Sequence, residues 1–164
     1  MYDIGQGNRQ GLSETFDLAA FQAQLDGIAK QRWAEVDGAP RLLVGATPQT
    51  LPESAGAVER EFFEYYGTPR GHHPRATPGF DRISNASMAR FWSFDQLSWI
   101  SPRPVLLVAG EHAHSRFFSE QADGFATDPK ELFIVPGAGH VDLYDRVDLI
   151  PFDKLKSFFD QHLV

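Results

Sequence analysis

Two short apolar runs constrain this chain more than any other feature: Pro104-Val-Leu-Leu-Val-Ala-Gly110 and Lys130-Glu-Leu-Phe-Ile-Val135. The first is continuous and bounded by Pro and Gly, the pattern of a strand buried in a parallel sheet. Residues 116–126 between the runs read as a helix. Residues 151–163 read as a closing helix, with Phe152, Leu155, Phe158, Phe159 and Leu163 on or near one face. Strand, helix, strand, helix with short links is the grammar of a βαβ unit, so the fold class is α/β. Ligands in such sheets bind at the carboxyl ends of the strands. Two loops occupy those ends, Glu111–Arg116 and Pro136–Asp145, and both contain histidine. The second is the sharper signal: Phe133-Ile-Val-Pro-Gly-Ala-Gly-His-Val-Asp142 runs from a strand through a Gly-Ala-Gly turn to His140. Several α/β enzymes present a general base in this way. The competing reading is an ordinary loop histidine, and the convergence of the two loops favours the functional one.

The first hundred residues carry a different pattern. Residues 1–12 are polar with no clear period. A helix is expected over 13–36, with Ser13 as N-cap, Glu14 in the first turn, and Leu18, Phe21, Leu25, Ile28 and Trp33 at helical spacing. Gly38 and Pro40 stop it. Residues 41–53 read as a connection. A second helix is expected from Ser54 to Tyr66, with Val58, Phe62, Phe63, Tyr65 and Tyr66 making an aromatic surface. Residues 67–82 read as loop; the adjacent His72 and His73 within it fit solvated surface better than a metal site. Residues 84–100, with Met88, Phe91, Trp92, Phe94, Leu97, Trp99 and Ile100, read as short helical pieces that form core or lid.

Charge and composition narrow the partners. A net charge of −7 argues against nucleic acid and disfavours an anionic membrane surface. The chain has no cysteine, so neither disulfides nor thiol chemistry enter. No apolar run approaches the ~20 residues of a membrane helix, and cytoplasmic residence is the default. At 164 residues, one domain without internal repeats is expected.

The chain resembles the C-terminal part of an α/β-hydrolase, in the dienelactone-hydrolase-like group with an inserted helical cap. The residues that carry the resemblance are Ser101-Pro-Arg-Pro-Val-Leu-Leu-Val-Ala-Gly-Glu-His-Ala-His-Ser-Arg116, then Pro129-Lys-Glu-Leu-Phe-Ile-Val-Pro-Gly-Ala-Gly-His-Val-Asp-Leu-Tyr-Asp145, then Ile150-Pro-Phe-Asp-Lys-Leu155. Tyr65-Tyr-Gly-Thr-Pro-Arg-Gly-His-His-Pro-Arg75 is similar to cap sequences of a subgroup that includes polyketide or acyl transferases. The resemblance implies a cap segment over residues 1–100 and the last two parallel strands with their helices over 101–164. It maps His140 onto the general base. The acid position reads Gly110-Glu-His-Ala113, without the family's Asp, which leaves Glu111 as the candidate to orient the imidazole; Asp142 and Asp145 are local alternatives. His114, Ser115 and Arg116 follow the strand end and are the candidate substrate-binding residues, although Arg116 also has the spacing to pair with Glu120.

The departure from the family is the nucleophile. No Gly-x-Ser-x-Gly motif occurs, and Pro52-Glu-Ser-Ala-Gly56 keeps only half of it. The expected function is therefore serine-dependent hydrolysis of a small-molecule carboxylic ester, lactone or thioester in the complete form, with the 164-residue chain alone inactive. The missing strands are expected from an N-terminal half in another chain, or their place is taken by self-association through the exposed sheet edge, or the sequence is a truncated form. An acyl or polyketide transferase of the same fold and a non-catalytic, partner-binding remnant are the alternatives. A zinc hydrolase built on His112, His114, His140 and Asp142 is the weakest, because His-x-His spacing is generic. Neither a cofactor nor a metal is expected.

Overall fold

The computed structural model describes residues 2–13, 15–45, 47–48, 50–76 and 79–163. The chain divides into two compact units. One lies within residues 4–92; the other joins residues 2–3 to residues 93–163.

The first unit contains α1 (Ile4–Gln10), α2 (Leu18–Val36), β1 (Leu43–Val44), α3 (Ala57–Tyr66), β2 (Phe80–Asp81) and α4 (Ser84–Met88). α1 corrects the expectation of an aperiodic N-terminus. Its two glycines give it poor intrinsic propensity, and tertiary contacts make up the difference. A Cβ on Gly5 would overlap the carbonyl oxygen of Phe91. Arg9 donates to the carbonyl of Ala89 at 2.7 Å and lies over the Trp92 ring at 3.7 Å.

α2 begins later than expected. Asp17, not Ser13, is its N-cap, accepting the amide of Ala20 at 3.0 Å. Ser13 bonds Thr15 instead, and Glu14 lies outside the described residues. The segment 41–53 is not only a connection, because Leu43 and Val44 pair antiparallel with Asp81 and Phe80. A two-residue ladder between positions so far apart leaves no periodic trace in the sequence. α3 starts at Ala57 rather than Ser54, with the Glu59 carboxylate accepting the Gly56 amide at 2.8 Å.

The second unit is built on β3 (Val105–Gly110), α5 (Arg116–Phe125), β4 (Lys130–Val135), α6 (Asp142–Asp145) and α7 (Phe152–His162). β3 and β4 pair in parallel from Val105↔Lys130 to Gly110↔Val135. Among the described residues they form a two-stranded sheet.

Alternation decides which face is core. Leu107 points to α5, where it packs with Phe94, Phe118 and Ala122, flanked by Leu97, Val105, Phe117 and Leu132. Phe118 is fully buried, which alone contributes about 2 kcal/mol. The aromatic run 84–100 divides: Phe94 and Leu97 join this core, whereas Phe91, Trp92 and Trp99 are exposed. α7 also differs from its expected face. Leu155 and Phe158 are half-buried, while Phe152, Phe159 and Leu163 are exposed.

Candidate active site at the strand ends

The site grows out of how β3 and β4 end. Gly110 closes β3 because no side chain fits there; a Cβ would overlap the carbonyl oxygens of Ala138 and Gly139. The loop after β4 therefore crosses directly over the end of β3. Gly137 turns that loop with φ of 70°, a conformation that costs an L-residue and not glycine.

The two loops are then stitched together. Glu111 donates its amide to Val135 O at 2.9 Å, and His112 donates to Ala138 O at 2.9 Å. The Gly137 amide donates to the Glu111 carboxylate at 2.8 Å. The Gly139 amide donates to the Asp142 carboxylate at 2.8 Å. Ala138 and Val141, on either side of His140, are buried. A loop anchored on both sides holds the backbone of His140 in one place.

The imidazole is held as firmly. Nδ1 lies 2.6 Å from Ser115 Oγ, and Nε2 lies 2.9 Å from the Tyr144 hydroxyl. The His114 ring lies 4.7 Å from it, tilted by 32°. Ser115 is 2% exposed and Tyr144 is 45% exposed, so one ring nitrogen faces the interior and the other the open side. His140, Ser115 and Tyr144 border a cavity of about 260 Å³, completed by Tyr2, Val108, Ala109, Ala113 and Leu143. Tyr2 sits edge-on to Phe118 at 4.7 Å. Burial, and then the charge of Asp3, push its phenol pKa up, so it is a neutral hydroxyl at ordinary pH.

His140, Ser115 and His114 thus converge at the ends of β3 and β4. Glu111 does not sit at the imidazole: its carboxylate is spent on the Gly137 amide, with His112 Nε2 at 3.9 Å. Arg116 pairs with Glu120 at 2.8 Å. Asp142 serves the loop backbone and lies 3.9 Å from Arg146. In the other unit, His73 Nδ1 accepts the Arg75 amide and His72 Nδ1 lies 3.3 Å from Tyr66 O. Among the described residues, no three His, Asp or Glu side chains are grouped to hold a metal ion.

Tyr144, Tyr2 and Asp3 were not singled out from sequence. Tyr144 had a signal, because it follows His140 by one helical turn. Asp3 had none; only the fold shows a carboxylate that is 5% exposed.

No helix among the described residues is long and apolar enough to cross a membrane. No family model matches the chain. It is 41% identical over 172 residues to protein PA2218 of Pseudomonas aeruginosa, covering 99% of this chain and 44% of that protein. The crystal structure of PA2218 superposes with a TM-score of 0.91 at 39% identity, over 99% of this chain and 51% of that one. The α/β hydrolase GrgF from Penicillium sp. sh18 is similar with a TM-score of 0.63 at 18% identity, over 99% of this chain and 52% of its own. DcsB, solved with a substrate analogue, is similar with a TM-score of 0.67 at 15% identity, over 89% of this chain and 52% of its own. The fold is therefore α/β-hydrolase-like. The chain spans about half the length of the relatives it matches.

Proposed function

We propose that residues 111–145 form the histidine side of an acyl-transfer site. In its complete form the protein would hydrolyse a small-molecule carboxylic ester, lactone or thioester, as in the dienelactone-hydrolase-like group, through a serine nucleophile. The observation that carries this reading is His140: a strand-end imidazole fixed at both nitrogens beside a cavity. A general base needs a fixed ring with one nitrogen open to the reacting group. Nε2, on the exposed Tyr144 side, takes that part; it would accept the nucleophile's proton and return it to the leaving group.

Glu111 acts in this proposal as a positioning residue, because its carboxylate holds the turn that delivers His140. The acyl group would lie against Val108, Ala109 and Leu143, with the His114 ring at the side of His140. Arg116 is neutralised by Glu120, which favours an uncharged acyl group over an acidic one. Transfer to an alcohol or amine acceptor would use the same acyl-enzyme, so a transferase differs only in the second nucleophile.

The serine itself comes from a further hydrolase-like segment. The place for that segment is the edge of β3 away from β4, toward which the backbone groups of Leu106 and Val108 point and where no strand pairs among the described residues. The test joins this chain, in one polypeptide, to the part of PA2218 that it does not match. The fusion is treated with a fluorophosphonate probe and mapped by mass spectrometry. One adduct on a serine outside these 164 residues is expected. An unlabelled, folded fusion would contradict the catalytic reading and leave the open edge as a purely partner-binding feature.

A further inference from the structure

The hydrogen bonds around His140 fix more than its position, because the ring has two bonded nitrogens and, when neutral, one proton. Two arrangements satisfy the distances. In the first, Ser115 Oγ–H donates to Nδ1, and Nε2–H donates to the Tyr144 oxygen. In the second, Nδ1–H donates to Ser115, and the Tyr144 hydroxyl donates to Nε2.

Burial separates them. Ser115 is 2% exposed, and the acceptor recorded for its hydroxyl among the described residues is His140 Nδ1. The second arrangement would strand the serine's own proton in the interior, which buried donors avoid. Tyr144 is 45% exposed, so in the first arrangement its phenol proton reaches water. The first gives the Ser115 proton an acceptor and leaves the Tyr144 proton on the exposed side.

We propose that Ser115 is a positioning residue that holds His140 with its proton on Nε2, so that the base is off at rest. This rests on the reading of His140 as a general base. In the resting state Nε2 has no lone pair to offer a nucleophile. To act, the ring must release the Nε2 proton to solvent and take one from solvent at Nδ1, with no change in net charge. Ser115 must then turn from donor to acceptor. A hydroxyl can do both, whereas a carboxylate in the same place only accepts and would hold the active tautomer permanently. The base is therefore conditional. It switches on when a hydroxyl donor replaces the Tyr144 oxygen at Nε2.

Nitrogen-15 NMR of the 164-residue chain reads this directly. Long-range proton–nitrogen correlations for His140 are recorded at about pH 8.5, above the ordinary histidine range. The wild type should carry its proton on Nε2, with Nδ1 shifted as a hydrogen-bonded acceptor. Ser115→Ala should move the Nδ1 resonance to the position of an unbonded imine nitrogen, and Ser115→Thr, which keeps the hydroxyl, should restore it. A wild-type proton on Nδ1, or an Nδ1 resonance unmoved by Ser115→Ala, would overturn the proposal. Should Ser115→Ala not fold, the tautomer in the wild type and in Ser115→Thr still decides. None of these spectra depends on turnover, so they stand or fall separately from the catalytic reading, which His140→Ala kinetics test.

Discussion

β3 and β4 are neighbours of equal length in one sheet, yet they are built for different surroundings. β3 carries neither charge nor proline within Val105–Gly110. Leu107 and Ala109 are buried, and the backbone groups of Leu106 and Val108 point away from β4. β4 begins with Lys130 and Glu131, and both are paired: half-buried Lys130 with Asp123, and exposed Glu131 with Lys154 at 2.6 Å. Charged residues are a usual protection of an edge strand, and an unbroken apolar run is the mark of a strand flanked on both sides. The sheet thus has a direction. β4 is dressed as its rim and β3 as an interior strand, although in the described residues β3 has one neighbour.

If the strands differ in this way, substitutions on them should differ in cost. Gly110→Val on β3 should be the most damaging change. Its side chain would collide with the backbone carbonyls of Ala138 and Gly139, and the loop carrying His140 could not cross the strand end. A loss of about 3 kcal/mol in urea-induced unfolding is expected, with the His140 resonances displaced. A tolerated Gly110→Val would mean that the two strand ends are not locked together. On β4 the matching disruption should be small. Lys154→Ala removes a partly exposed ion pair with Glu131 and should cost less than about 1 kcal/mol, shrinking further as salt is raised. A larger, salt-independent loss would show that β4 is held as an interior strand too.

The same contrast explains what was legible before the fold was known. Pro104–Gly110 and Lys130–Val135 could be read because a buried parallel strand is written locally, in consecutive apolar residues. The position of His140 past a strand end could be read because the strand and a glycine turn sit beside it in sequence. α1 could not, since Gly5 and Gly7 argue against a helix and the contacts of Arg9 with Ala89 and Trp92 lie some eighty residues away. The partner of the imidazole was also hidden. Glu111 was the reasonable carboxylate by position, but the Gly137 turn brings its side chain to a backbone amide and leaves Nδ1 to Ser115. Which of two neighbouring side chains reaches a ring is set by a turn of a few ångströms, and spacing along the chain does not record it.

The role of His140 can be tested most directly by ester turnover in the fusion of this chain with the unmatched part of PA2218. His140→Ala should lower kcat by about a thousandfold or more, with the fold and the KM retained, as removal of a general base from an acyl-transfer site does. A His140→Ala fusion that turns over the ester within about threefold of its parent, or a folded parent with no turnover above its own variant, would contradict the assignment of His140 as the base.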